Sequence, residues 1–263
     1  MIKARLNQII AEKIVFVSFT MLLAVSTIQV FFNVAKEKLA DINDIPRSLS
    51  YAWILSGDSS GYFIFIFVLL LFPLTSLPLA LTLEKERRNK FCNFYLIRST
   101  RKSYIIALIT ANSLVVTVLT FSTLLWNLFL NSLFFPLLKP NEFMDYMRAY
   151  PLIPSQTLSR ELFVHHPLLN IFMYILIAVL YSVIVSNFIL LLGYFVNKPM
   201  YLFSLSVIMP FILLLLPIKS KLSPFIVLSV IAYNISPLSL GLFFCSCFII
   251  LISMYRYVIK RQE

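Results

Sequence analysis

Six long apolar stretches run through this 263-residue chain. They cover residues 14–33, 61–83, 104–135, 168–195, 200–217 and 238–258, and the only acidic or basic side chain in them is Arg256, at the edge of the last stretch. A helix needs about 20 mostly apolar residues to cross a bilayer. The sequence therefore predicts an all-α, polytopic membrane protein with six transmembrane helices, forming one domain over residues 1–263.

The positive charges are distributed unevenly between the connecting segments. Segments 1–13, 84–103, 196–199 and 256–263 hold 14 of the 22 Lys and Arg residues, and segments 34–60, 136–167 and 218–237 hold the other 8. Cytoplasmic loops carry the excess of Lys and Arg. We therefore expect a multi-pass protein of the cell membrane with both termini in the cytoplasm. Topology accounts for the net charge of +11, so nucleic acid is not an expected partner.

Two shorter segments have patterns of their own. In residues 1–13, Ile2, Leu6, Ile9 and Ile10 share one helical face while Arg5 falls elsewhere. This pattern indicates an amphipathic helix in the membrane surface, although a merely basic tail is the alternative. Residues 218–237 are apolar, interrupted by proline and too short to span comfortably. They predict broken helices, a re-entrant element on the outer side, before the last span.

Sequence patterns of catalysis are missing. The chain has no H-E-x-x-H, G-x-S-x-G or P-loop motif. We therefore expect no catalytic residue, no metal site, no cofactor bound by this chain and no enzyme activity. The predicted spans also lack the ionisable side chains with which ion-coupled transporters bind their coupling ion. If the protein transports a substrate, its energy source is expected to lie outside this chain.

One polar pattern lies inside the third apolar stretch. Its members recur at heptad-like spacing and so share one helical face: Thr110, Ser113, Thr117, Thr120, Asn127 and Asn131. Small and polar residues promote helix packing in membranes. They could equally line a path for an amphipathic substrate, and the sequence leaves both interpretations open.

The segment 84–103, EKERRNKFCNFYLIRSTRKS, holds seven of the Lys and Arg residues. Glu84 to Lys90 is a strong helix-forming run, and Phe91, Phe94 and Tyr95 follow it as an aromatic stripe flanked by basic residues. Aromatic residues and arginine are the usual anchors of protein interfaces. The segment thus fits a helix that docks into a groove of a soluble partner. A lipid-facing interfacial helix without a partner is the alternative.

The chain resembles the permease subunit of type-2 ABC exporters in the order of its predicted parts. These are two spans, a basic cytoplasmic helix and then RSTRKSYIIAL at the start of the third span. The motif resemblance covers about residues 84–108. It departs from the family at Asn89 and Lys90, where glycine is common, and at Ile97, where proline is common. By this resemblance 84–103 is the coupling helix, in which Glu84 to Arg88 would approach the ATPase and Arg98 to Lys102 would anchor the start of the third span. Its expected ATPase-coupling residues are Glu84, Arg87, Arg88, Phe91, Phe94, Tyr95, Arg98 and Arg101.

The resemblance also implies partners and an activity. The expected partners are two copies of a cytoplasmic ABC ATPase that binds ATP and Mg²⁺, a second permease subunit (identical or related) and membrane lipids. The expected function is ATP-driven export of a hydrophobic or amphipathic substrate, such as a lipid, a drug or an antimicrobial peptide, in a bacterium. The alternative is a membrane scaffold or immunity protein that does not transport and binds a soluble partner through 84–103.

Overall fold

The computed structural model describes residues 2–38, 48–56, 61–88, 100–138, 158, 160–196, 199–215, 223–230 and 236–262. These residues form helices and connecting turns without any β-strand. In chain order the helices are α1 (Ile2–Ile10), α2 (Lys13–Lys38), α3 (Leu49–Ala52), α4 (Gly61–Arg88), α5 (Arg101–Phe134), α6 (Arg160–His165), α7 (Pro167–Leu192), α8 (Pro199–Leu215), α9 (Pro224–Val227) and α10 (Pro237–Gln262).

Four of these helices are long and apolar enough to cross a membrane, at Lys13–Glu37, Lys102–Phe134, Pro167–Leu192 and Pro237–Lys260. The all-α membrane architecture predicted from the sequence is therefore confirmed at this level. The second and fifth predicted spans correspond to shorter apolar helical parts, Tyr62–Pro78 and Met200–Ile212. Six complete spans remain a prediction.

Helix α7 is the centre of the bundle. Its strongest packing is against α5, and it also contacts α4, α8 and α10. Helix α2 packs on α4 and α5 at one side, and α8 packs on α4. Within its most apolar 18-residue window α7 is 72% buried, whereas the corresponding window of α10 is only 6% buried. The last helix thus lies on the outside of the bundle, attached chiefly through α7.

Local sequence signals explain where the long helices begin and end. The Thr100 hydroxyl accepts a hydrogen bond from the Ser103 N–H (3.4 Å), which caps the start of α5. Pro167 occupies the first turn of α7, where its missing N–H costs nothing. Helix α4 contains Pro73 and Pro78, yet it continues as one helix to Arg88. Neighbouring helices and hydroxyl side chains make such prolines tolerable inside membrane helices.

The two ends of the bundle have different constructions. At one end, Ile9, Tyr104, Leu191 and Val258 belong to a single buried apolar cluster, so both ends of the chain lie at the same end of the bundle. At the other end, residues 48–56 and 223–230 fold inward between the helices. The Val230 N–H donates to the Leu55 carbonyl oxygen at 3.0 Å, which ties these two segments together.

The predicted re-entrant element falls on 218–237, of which 223–230 and 236–237 are among the described residues. It contains the short helix α9, whose Pro224 and Val227 are buried. The Phe225 ring stacks on the Phe65 ring of α4, with centroids 4.8 Å apart. Irregular backbone is tolerated at membrane depth only where protein covers it, and this packing supplies such cover. The re-entrant position of the segment stays a prediction.

The N-terminal helix α1 differs from the amphipathic pattern expected for it. Ile2 and Ile10 of the predicted apolar face are 42% and 57% exposed, whereas Arg5 is only 1% exposed. The Arg5 guanidinium carbon lies 4.6 Å from the centroid of the Tyr104 ring. An aromatic face attracts a cation, so α1 turns its arginine toward the start of α5. Sequence spacing alone could not reveal this tertiary partner.

Replacing Arg5 by alanine is expected to loosen α1 from the bundle. The cation–π contact with Tyr104 is desolvated, and such contacts contribute about 2 kcal/mol. Hydrogen exchange of the amides in residues 2–10 should therefore rise clearly in Arg5→Ala. It should change little in Lys3→Ala, because Lys3 is an exposed cation of the same helix. Equal protection in both variants would show that Tyr104 does not hold α1.

Candidate functional site

The structure describes the predicted coupling segment only in part. Glu84, Arg87 and Arg88 belong to the final turns of α4, which extends unbroken from the apolar part of that helix. Arg101 is the first residue of α5. The remaining candidates, Phe91, Phe94, Tyr95 and Arg98, lie outside the described residues. The segment is thus attached at both sides to the bundle by regular helix.

The polar residues of α5 do not all meet the same neighbour. Ser113 faces α7, because its hydroxyl oxygen accepts a hydrogen bond from the Asn187 side chain at 2.8 Å. Asn127 faces α2, because its side-chain NH₂ donates to Gln29 Oε1 at 2.8 Å. A heptad-spaced stripe on a straight helix turns by about 20° per heptad. Over the two heptads between Ser113 and Asn127 this drift is enough to change the partner helix.

Near the end of α5, asparagine side chains hold the inward-folded segment 48–56. The Ile54 N–H donates to Asn127 Oδ1 at 2.9 Å, and Asn127 Nδ2 donates to the Ser26 carbonyl oxygen at 3.1 Å. Asn131 Nδ2 donates to the Asn127 carbonyl oxygen at 2.9 Å. Both asparagines are fully buried. For the Ile54 N–H, which lies outside any helix, the Asn127 side chain takes the place of water as the hydrogen-bond acceptor inside the protein.

Helix α2 also holds segment 48–56 through amide side chains. The side-chain amides of Gln29 and Asn33 both donate to the Ala52 carbonyl oxygen, at 2.7 and 2.6 Å. The four amide side chains Gln29, Asn33, Asn127 and Asn131, named here the amide clamp, thus fix residues 52–54 between α2 and α5. The six polar residues of α5 that the sequence places on one face are named here the α5 stripe. For the last two of them, Asn127 and Asn131, these contacts support a role in helix packing.

A second polar network lies between α5 and α7. Asn112 Nδ2 donates to Ser186 Oγ at 3.0 Å and to Asn187 Oδ1 at 2.9 Å. The Ser186 hydroxyl lies within 3.4 Å of the Thr75 carbonyl oxygen, which connects the network to α4. All members are neutral amides and hydroxyls, so they can form hydrogen bonds without bringing charge into the bundle.

Beside this network, α5, α7 and α10 enclose a groove of about 360 Å³. Its wall is largely aliphatic and aromatic, with three polar positions, and is formed by Ile106, Ile109, Thr110, Ser113, Val183, Asn187, Leu191, Phe248, Leu251, Ile252 and Tyr255. Small-molecule sites have volumes of about 300–1,000 Å³ and a mostly apolar lining. Two residues of the α5 stripe, Thr110 and Ser113, thus line a cavity, in contrast to the clamp residues.

The other two members of the stripe have no cross-helix hydrogen bond in the described structure. Thr120 is fully buried, and its hydroxyl lacks a hydrogen-bond partner among the described residues. Thr117 is partly buried. Helix packing around these two small side chains is consistent with the preference of membrane helix interfaces for threonine.

Sequence reasoning missed several residues that organise these networks. Gln29 and Asn33 lie four residues apart on α2, and Asn112 precedes Ser113 on α5. The i, i+4 pair of amides in an otherwise apolar helix was the available signal, because buried amides need partners. Identifying those partners requires the tertiary structure, since Asn112 and Asn187 are 75 residues apart.

Comparison with known proteins gives no relative. No protein-family model matches the chain, and none of the curated proteins or solved structures is significantly similar to it.

The chemistry available in the described residues is that of recognition by hydrogen bonds and apolar contact. Within these ranges no group of three or more His, Cys, Asp or Glu side chains is placed to hold a metal ion. What the site offers is an apolar groove with a few neutral polar groups, and a helix, α4, that continues from the apolar bundle to Arg88.

Proposed function

We propose that this chain is the membrane-spanning subunit of an ATP-driven exporter of the type-2 ABC class. In this proposal a separate cytoplasmic ATPase binds the segment 84–103 and drives movement of the helices. The substrate is a hydrophobic or amphipathic molecule. A second permease subunit completes the transporter.

The observation that carries the proposal is the continuity of α4. This helix runs from Gly61 to Arg88 without a break, so it connects the apolar bundle directly to the basic motif. Coupling between distant sites is carried by rigid elements of this kind. A force applied to Arg87 or Arg88 by a partner would reach the α4 contacts with α7 and α8.

The composition of the described spans supports the same function. Their buried polar side chains are amides and hydroxyls, apart from Arg5 in α1. Neutral groups bind amphipathic molecules, whereas secondary transporters usually place ionisable side chains at membrane depth for their coupling ion or proton. ATP hydrolysis on a partner subunit is therefore the energy source that fits this chain.

Affinity purification of the full-length chain from its native membranes in mild detergent tests this proposal. The expected result is co-purification of a P-loop protein that hydrolyses ATP and is identified by mass spectrometry. Consistent recovery of a partner without nucleotide-binding motifs would instead favour the scaffold or immunity role. Recovery of no ATPase from several gentle extractions would count against the exporter.

A further inference from the structure

The groove between α5, α7 and α10 lies close to the basic end of the bundle. Its lining begins at Ile106 on α5, only four residues after Lys102, and extends to Ser113. From Lys102 to Ser113 the helix rises by about 16 Å, roughly half of the thickness of the hydrocarbon core of a bilayer. The groove therefore occupies one leaflet, on the side where the basic ends of α5 and α10 lie.

The interior of the groove offers little to a polar ligand. The Thr110 hydroxyl donates to the Ile106 carbonyl oxygen at 2.8 Å, and the Ser113 hydroxyl donates to the Ile109 carbonyl oxygen at 2.8 Å. Asn187 in turn donates to Ser113. Because the hydroxyl hydrogens of Thr110 and Ser113 already bond to the protein and the rest of the lining is largely apolar, the groove fits a largely apolar part of a ligand.

The mouth of the groove is basic. Lys102 lies on the same face of α5 as Ile106 and Ile109, by its spacing of four and seven residues. On α10, Arg256 and Lys260 follow Ile252 at intervals of four. All three cations are exposed. A ligand that leaves the groove toward this end would therefore meet positive charge.

Aromatic side chains mark the level at which the bilayer interface falls. Tyr255 lines the groove, and the rings of Phe195 and Tyr257 are 5.7 Å apart beside it. Tyrosine is enriched at the height of the lipid headgroups. The cations thus lie where phosphate groups lie, and the apolar groove lies where acyl chains lie.

We propose that this groove binds an acyl chain of an anionic phospholipid whose headgroup is held by Lys102, Arg256 and Lys260. The exposed surface of α10 leaves the groove open toward the surrounding lipid, so the ligand can enter sideways from the leaflet. The site is independent of the exporter proposal, because lipid binding needs neither an ATPase nor a transported substrate.

A tryptophan reporter in the groove tests this inference. Phe248→Trp places an indole on the groove wall, and the full-length protein is reconstituted in mixed phosphatidylcholine and phosphatidylglycerol vesicles with one of the two lipids brominated. The signal of Trp53 and Trp126 is subtracted using the protein without the reporter. Brominated phosphatidylglycerol should quench the reporter about fivefold more effectively than brominated phosphatidylcholine, the factor expected for one basic residue near an anionic headgroup.

Two controls separate a specific site from general attraction to anionic lipid. Phe16→Trp reports on α2, where residue 16 is 69% exposed and does not line the groove. Its preference for phosphatidylglycerol should be clearly smaller than that at residue 248. When Lys102, Arg256 and Lys260 are all replaced by glutamine, the two brominated lipids should quench the reporter at residue 248 equally.

Filling the groove gives a second measurement. Thr110→Phe should reduce quenching of the residue-248 reporter by both lipids, whereas Val118→Phe, on an exposed part of α5, should not. If Thr110→Phe does not fold, the variant with glutamine at residues 102, 256 and 260 still tests the proposal, because these three positions are exposed and tolerate substitution. Equal quenching by both lipids, or equal preference at residues 16 and 248, would overturn the inference and leave only ordinary surrounding lipid.

Discussion

Reversing the charges of Arg87 and Arg88 and replacing Phe91 by aspartate should abolish recovery of the ATPase with this chain. In the proposed exporter these residues contact the partner, and reversing interface charges turns attraction into repulsion. Truncating one partner of a buried interfacial charge pair costs about 2–5 kcal/mol, so binding should fall by at least about tenfold. Export should fall to background while ATP hydrolysis by the partner continues without it.

The matched control for this variant is Lys3→Glu with Lys13→Glu. It repeats the two charge reversals at two exposed residues of α1 and α2 at the same end of the bundle. Co-purification and export should stay close to those of the unaltered protein. Gel filtration in detergent must show both variants folded. Undiminished export by the Arg87, Arg88 and Phe91 variant would exclude the coupling role.

Asn127→Ala is expected to produce the largest loss of stability among single substitutions in the amide clamp. It removes the acceptor of the Ile54 N–H and the closest donor to Gln29 Oε1. Leaving one buried polar group unsatisfied costs about 1–3 kcal/mol. We expect a loss of about 2 kcal/mol in the free energy of unfolding, measured by denaturant titration in detergent.

Ser132→Ala is the control for this substitution. The Ser132 hydroxyl is exposed and donates to the Phe129 carbonyl oxygen of its own helix. Its removal should change the unfolding free energy by less than about 0.5 kcal/mol. Hydrogen exchange should also quicken at the Ile54 amide in Asn127→Ala alone. If both variants unfold alike and that amide stays protected, the clamp does not hold segment 48–56.

Hydropathy was sufficient to predict the long helices. The predicted spans 14–33, 104–135, 168–195 and 238–258 coincide with α2, α5, α7 and α10 to within about five residues at each end. The reason is physical, since a long run without charge has few alternatives to a membrane helix. The separation of α9 from α10 was likewise predictable from the prolines, because proline favours the first turn of a helix and these two helices begin at Pro224 and Pro237.

The contacts between helices could not be predicted in the same way. The α5 stripe was recognised as one face, but its division between α7 and α2 depends on helix rotation and on what lies opposite. The inward turn of Arg5 depends on Tyr104, almost 100 residues later. The coupling roles of Phe91, Phe94, Tyr95 and Arg98 stay predictions, because these residues lie outside the described part of the chain.

The position of α1 has a consequence for the order of assembly. Ile9 shares a buried cluster with Tyr104, Val258 and Ile259. Its surroundings are thus completed only when the last helix has been synthesised and inserted. Arg5 can meet Tyr104 once α5 is inserted, but until α10 follows, Ile9 lacks part of its cluster at the membrane surface, where an amphipathic segment is stable. The surface helix expected from the sequence would then be the state of α1 during biosynthesis, and completion of the cluster around Ile9 would be the final step of assembly.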